Sequence, residues 1–113
     1  MDDAAGEAFR ALAEPRRRAI LQLVAHQELA AGEIASAFDV TRPAVSQHLT
    51  VLKQAGLLNE RRDGTRRLYR ARPEGLDHLR RLLDDMWAGA LDTARRLVEA
   101  EKGVDDDARA EAG

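Results

Sequence analysis

Apolar residues recur at intervals of three and four over most of this chain, the spacing of one buried face of an α-helix. From Ala4 to Ala13, Phe9 and Leu12 stand three apart. Glu14-Pro15 then breaks the run, because proline disfavours a helical conformation in the residue before it and suits the first position of a new helix. A second helix is predicted from Pro15 to about His26, with Ile20, Leu21, Leu23 and Val24 as its buried stripe. A short third helix follows from Ala31 to Phe38, with Ile34, Ala35 and Phe38 on one face. Asp39-Val40-Thr41 makes the turn. Thr41 is a good N-cap, Arg42-Pro43 opens a fourth helix reaching Ala55, and Gly56 supplies a left-handed stop.

The pattern then changes. Leu57–Arg62 and Arg66–Ala71 read as two short strands, with Asp63-Gly64 between them as a two-residue hairpin turn. Pro73-Glu74 starts a long last helix reaching about Glu101. Along it Leu76, Leu79, Leu83, Met86, Ala90, Ala94 and Leu97 step by three or four residues, and Leu82, Trp87, Leu91 and Val98 widen the stripe. That breadth exceeds what one small core would cover, so part of it is expected to meet a second copy of the chain. Beyond Gly103 the stretch VDDDARAEAG lacks apolar periodicity. The expectation is therefore an ordered domain over residues 1–102 and an acidic, disordered tail over 103–113. The order helix, helix, short helix, helix, hairpin, long helix is that of a winged helix-turn-helix: mainly α, with a two-stranded β-hairpin as the wing.

With 113 residues the chain has room for one ordinary domain. It holds no cysteine, which removes disulfides, thiolate metal sites and cysteine nucleophiles together. No apolar run approaches the ~20 residues needed to cross a bilayer, and the N-terminus (Met1, Asp2, Asp3) is acidic rather than signal-like. A soluble, cytoplasmic protein with no membrane partner is expected. The net charge of −2 hides a strong asymmetry. Between Arg42 and Arg72 lie eight cations against only Glu60 and Asp63, a local charge of +6, while the rest of the chain carries −8. Local field, not the average, decides where a polyanion docks.

Wound at about 100° per residue, the fourth helix gathers Val45, Leu49 and Leu52 on one face. Pro43, Gln47, Thr50 and Gln54 point the opposite way, with Ser46 at their margin, Arg42 and Lys53 along one side and His48 along the other. This outward face is polar but almost uncharged, whereas a merely solvated helix would display Glu and Lys. Small hydroxyls and amides suit base edges, because they donate or accept according to the base. Cations at the margins suit the phosphate walls. Only the N-terminal half of such a helix usually reaches bases. Arg42, Pro43, Ser46 and Gln47 are therefore expected next to bases, and Thr41, His48, Thr50 and Lys53 against phosphates. His48 borders the apolar face and serves equally as a packing residue; Gln54 is expected in solvent.

The hairpin carries Arg61, Arg62, Arg66 and Arg67 near its tip, with Arg70 and Arg72 behind. Like charges across a hairpin cost stability, so a polyanionic partner is the economical reason for them, and arginine suits a narrow, negative minor groove. Leu58 and Leu68 are expected to anchor the hairpin. Tyr69 either packs with its ring or offers its hydroxyl to a phosphate. Arg16, Arg17 and Arg18 occupy the first turn of the second helix, where the helix dipole prefers anions. An ion pair with Glu14 or another acid is favoured for them over a DNA phosphate.

The stretches ALAEPRRRAILQLV and LAAGEIASAFDVTRPAVSQHLTVLKQAGLLNERRDGTRRLYR resemble the ArsR family of bacterial winged-helix transcriptional regulators. The most specific part is TRPAVSQHLTVLKQAGLL followed by the Asp-Gly wing. The resemblance implies a homodimer built from the first and last helices, binding a dyad-symmetric operator, usually to repress. It also places Ser46, Gln47 and His48 on positions where the family contacts DNA. Metal-sensing members carry a Cys-x-Cys pair in the third helix, where this chain has LAAGEIA. Others place carboxylates and histidines along the last helix, which here offers only His78 beside Asp77. The three histidines, His26, His48 and His78, form no pair at helical spacing, so no metal or cofactor is expected.

The expected function is that of a metal-independent regulator binding double-stranded DNA as a homodimer. Its subunit interface is expected at Phe9, Leu12, Leu79, Leu83, Met86, Trp87, Ala90 and Leu91. Two rivals stand beside it. A winged helix can be a protein-interaction module, or a regulator that answers to a small molecule or metal. An enzyme is not expected, since the chain shows no nucleophile–base set, no phosphate-binding glycine loop and no paired carboxylate in an apolar setting.

Overall fold

A computed structural model describes the backbone of residues 3–112 and the side chains of residues 4–103. The elements are α1 (Asp3–Leu12), α2 (Pro15–Leu23), β1 (Leu29–Ala30), α3 (Ala31–Phe38), α4 (Arg42–Gln54), β2 (Leu58–Asp63), β3 (Arg66–Ala71) and α5 (Pro73–Ala112). The chain divides into two compact units, one extending to Leu79 and the other starting at Arg80.

The first unit closes around side chains supplied by every helix. Ile20, Val24, Ile34, Val45, Leu49, Leu52 and Leu57 are buried to 2% exposure or less, and each such side chain contributes about 1.5–3 kcal/mol of transfer free energy. The α4 stripe of Val45, Leu49 and Leu52 is the one its periodicity predicts. Local chemistry sets the helix ends. Thr41 Oγ1 accepts from Ala44 N–H at 3.3 Å at the start of α4. Asp39, at φ 53°, makes the left-handed turn between α3 and α4, a conformation that a short polar side chain tolerates better than most. Gly56, at φ 77°, terminates α4 and turns the chain into the sheet.

The sheet is antiparallel in the order β1-β3-β2. Leu29 pairs with Tyr69 and Ala30 with Leu68, so β1 makes a third strand where the sequence pattern predicts only two. This also ends α2 early. Val24 accepts at its carbonyl from Ala71 N–H at 3.0 Å, and the chain must then extend toward β1 instead of carrying the helix to His26. Leu23 accordingly lies at the edge of the core, only half-buried.

The hairpin register also differs by one residue. Asp63 pairs with Arg66 as the last rung, leaving Gly64-Thr65, not Asp63-Gly64, as the loop. Gly64 sits at φ 65° and Thr65 does not take a positive φ, the pattern of a turn with glycine at its first central position. Leu58 and Leu68 are buried at 3% and 7%, anchoring the hairpin as expected.

A close approach joins the start of α5 to the end of α4. A Cβ on Gly75 would lie 2.0 Å from the Gly56 carbonyl oxygen, so only glycine lets these two backbones meet. Leu79, expected at a subunit interface, is instead buried at 6% in the core of its own chain. It lies in the first turns of α5, against the alanine face of α1 that includes Ala4, Ala5 and Ala8.

Of the named elements, the second unit contains only the part of α5 from Arg80 onward. Its apolar row is open to solvent in the single chain: Leu83 is 46% exposed, Met86 58%, Trp87 67% and Leu91 53%. Ion pairs between neighbouring turns, Arg80–Asp84 and Arg96–Asp92, support its outer surface. The helix runs to Ala112, past its expected end near Glu101, in keeping with the helix-favouring alanines, arginine and glutamate of that stretch. The side chains of the expected acidic tail beyond Gly103 lie outside the described residues.

Candidate nucleic-acid interface

The outward side of α4 is presented as its periodicity predicts. Arg42, Pro43, Ser46, Gln47 and Thr50 are exposed and His48 is half-buried at the border of the apolar face. Thr41 accepts the Ala44 N–H with its oxygen, so its own O–H remains available to donate to a phosphate. Thr50 differs from expectation. Its hydroxyl donates to the Ser46 carbonyl at 2.9 Å, so the proton it would offer a phosphate is already used within the helix. Val51 carries no signal in the sequence pattern, yet it is 36% exposed and shares a shallow hollow with Ser46, Gln47 and Thr50. An apolar surface of that kind suits a thymine methyl.

The wing stands beside the N-terminal end of α4. Together they line an open cleft of about 690 Å³, whose walls include Arg42 and Ser46 from α4, Glu33 from α3, and Arg66, Arg67 and Tyr69 from β3. The Arg42 guanidinium lies across Gly32 at the start of α3. Helix face and wing, far apart in sequence, thus form one concave, cation-rich surface. Tyr69 is half-buried in the wall of this cleft.

The wing cations are not bare. Arg61 makes a two-pronged bond to Glu28, from Nε at 3.0 Å and Nη2 at 2.8 Å. Arg66 Nη2 pairs with Glu33 at 2.5 Å. Glu60 receives Lys53 at 2.7 Å and Arg67 at 3.4 Å. Arg62 faces Arg67 directly across the ladder, and its side chain makes no hydrogen bond or ion pair among the described residues. The Arg61 hydrogen bond holds the Glu28 carboxyl below the ordinary value of 4.5, and the Lys53 hydrogen bond does the same for Glu60. Sequence spacing could reveal only Glu60 and Asp63 as opposing charges. Glu28 and Glu33 arrive from the other side of the fold, 33 residues from their partners.

Arg16, Arg17 and Arg18 have a different role from either one expected. Arg17 Nε donates to the Ala11 carbonyl, and Arg18 Nη1 donates to the Leu12 carbonyl at 2.7 Å. They therefore close the C-terminal end of α1, where orphan carbonyls and the negative dipole end favour cations. Arg16 lies over the Phe38 ring, 5.4 Å from its centroid. Glu14 caps α2 by accepting from the Arg17 N–H at 3.0 Å.

A model of bacterial regulatory proteins of the arsR family matches residues 14–60, from the cap of α2 into β2. The HTH-type transcriptional regulator Rv2034 of Mycobacterium tuberculosis is 50% identical over 94 residues, 83% of this chain and 88% of that protein. This chain belongs to the ArsR family. The HTH-type transcriptional repressor SmtB of M. tuberculosis is 43% identical over 77 residues, 68% of this chain but only 57% of SmtB. Among solved structures, the homodimeric winged helix-turn-helix DNA-binding domain of Mb0332 from Mycobacterium bovis superposes with a TM-score of 0.64. It is 36% identical, covering 76% of this chain and 80% of that fragment. The ArsR-family match spans the helix-turn-helix described above, and the relatives carry the names of transcriptional regulators, not of enzymes. No helix among the described residues is long and apolar enough to cross a membrane.

Proposed function

We propose that this ArsR-family regulator binds double-stranded DNA as a homodimer, on a site with dyad symmetry, and represses transcription without a metal cofactor. The observation that carries the reading is the exposed, nearly uncharged hydroxyl-and-amide ridge of α4, whose Ser46 also lines the cleft edged by Arg42, Arg66 and Arg67. Arg42, Pro43, Ser46 and Gln47 lie next to base edges, and Ser46 and Gln47 read them. Thr41, His48, Lys53 and the wing residues Arg61, Arg62, Arg66, Arg67 and Tyr69 engage backbone.

The dimer reading rests on the open row Leu83, Met86, Trp87 and Leu91, continued by Ala90, with the half-buried Phe9 and Leu12 of α1 as the second contribution. Exposed apolar rows of this size mark contact sites. A two-fold pair would set two α4 helices about 34 Å apart, one turn of DNA. Repression draws its support from the name of the SmtB relative. Metal independence draws on the absence of cysteine and on the spacing of His26, His48 and His78, which form no pair one helical turn apart.

Selecting bound fragments from genomic DNA at two salt concentrations tests this reading. Recovered sequences should share inverted half-sites separated by one helical turn. Enrichment of no motif, or of single unpaired half-sites, would contradict it.

A further inference from the structure

The α3 carboxylate in the cleft faces both ways. Glu33 Oε1 accepts the Ala30 N–H at 3.0 Å, closing the first turn of α3, and the same oxygen holds Arg66. Both members of the pair remain about half exposed, Glu33 at 49% and Arg66 at 55%, and they stand among Arg42, Arg67 and Ser46. A DNA backbone strand laid in this cleft would bring its phosphates to the cation that Glu33 occupies. Two anions cannot share one guanidinium edge cheaply within a Debye length of about 10 Å.

We propose that Glu33 is a built-in counterion that a DNA phosphate displaces from Arg66, and that it sets how tightly the protein holds any duplex. This rests on the DNA-binding reading given above. The carboxylate keeps the wing ordered against α3 in the free protein and opposes the incoming phosphate in the complex. Its cost falls on all sequences alike, because backbone contacts carry no base information. Sequence-independent affinity is thereby held down, leaving a larger share of binding to Ser46 and Gln47.

Glu33→Gln separates the two roles. Its amide oxygen still accepts from Ala30 N–H, but the charge is gone. Full-length variants are titrated by fluorescence anisotropy against a labelled mixed-sequence 30-base-pair duplex. Glu33→Gln should bind about three- to tenfold more tightly than wild type at ~0.1 M salt, with the gain fading toward 1 M as screening shortens. Glu33→Asp should behave as wild type, and the gain should shrink in an Arg66→Ala background. On the unaltered protein, the carbon NMR signal of the Glu33 carboxylate should move toward that of an unpaired glutamate when duplex is added. Unchanged or weaker binding by a Glu33→Gln protein that melts as wild type does would overturn the proposal, as would a Glu33 signal indifferent to DNA. Wild-type protein with no affinity for any duplex would instead overturn the regulator reading beneath it.

Discussion

Trp87 is the most exposed of the large apolar side chains in α5, at 67%, and the only tryptophan in the chain. A tryptophan can bury 150–250 Å², so on the order of 150 Å² per copy awaits cover. If half of that is removed from water in each of two copies, Trp87→Ala costs roughly 4 kcal/mol per dimer. That is on the order of several hundredfold in the dimer dissociation constant. Sedimentation equilibrium over a range of concentrations measures the constant directly, and the lone indole gives an internal check. Wild-type emission should shift to longer wavelength on dilution as the ring returns to water. DNA affinity of Trp87→Ala should recover at high protein concentration, because a dimer of lower stability is still a dimer by mass action. A dissociation constant within about threefold of wild type, or a dilution-independent spectrum, would refute the assignment of this row to a subunit interface.

Other consequences are narrower. Gly75→Ala places a methyl 2.0 Å from the Gly56 carbonyl oxygen; overpacking against backbone should cost about 2–3 kcal/mol and lower Tm by roughly 10–20 °C in a thermal melt, and a melt within a few degrees of wild type would contradict that close approach. Glu28 and Glu60 have lowered pKa values through Arg61 and Lys53, so their contribution is full above the ordinary value of 4.5 and is lost as pH falls through the lowered folded values. Amide exchange in β2 and β3, corrected for intrinsic rate, should therefore accelerate below pH 4.5 before the α4 core opens, and uniform loss of protection would count against it. Gln47→Ala should alter which sequence is preferred at one position of each half-site, by about 1–3 kcal/mol, read from competitive selection; equal losses on every sequence would remove Gln47 from base readout.

Much of the first unit was legible because its punctuation is local. Thr41 followed by Arg42-Pro43, and Gly56 after Ala55, each act through a few backbone atoms, so the bounds of α4 followed directly and its buried stripe came from period alone. The errors lie where distant segments meet. Two residues, Leu29 and Ala30, make too short a strand to leave a pattern, and their pairing with β3 is also what cuts α2 short. The hairpin loop moved by one residue because cross-strand pairing of Asp63 with Arg66 outweighed the preference of Asp-Gly for the turn.

Charge misled in the same way. The wing arginines looked opposed only by Glu60 and Asp63 because Glu28 and Glu33 are 33 residues from their partners, and Arg17 and Arg18 turned out to hold carbonyls of the preceding helix. Leu79 shows the limit of a periodic stripe: spacing says which side of α5 is apolar, not where along it the chain's own core gives way to the exposed row.

Salt titration of the purified protein on a duplex recovered by selection bears most directly on the central claim, that the α4 ridge and its arginines lie against DNA in a two-fold pair. With three or four phosphates neutralised per subunit, log K should fall against log salt with a slope of about −5 to −7, at a stoichiometry of two chains per duplex. A slope near zero, or saturation by a single chain, would contradict it.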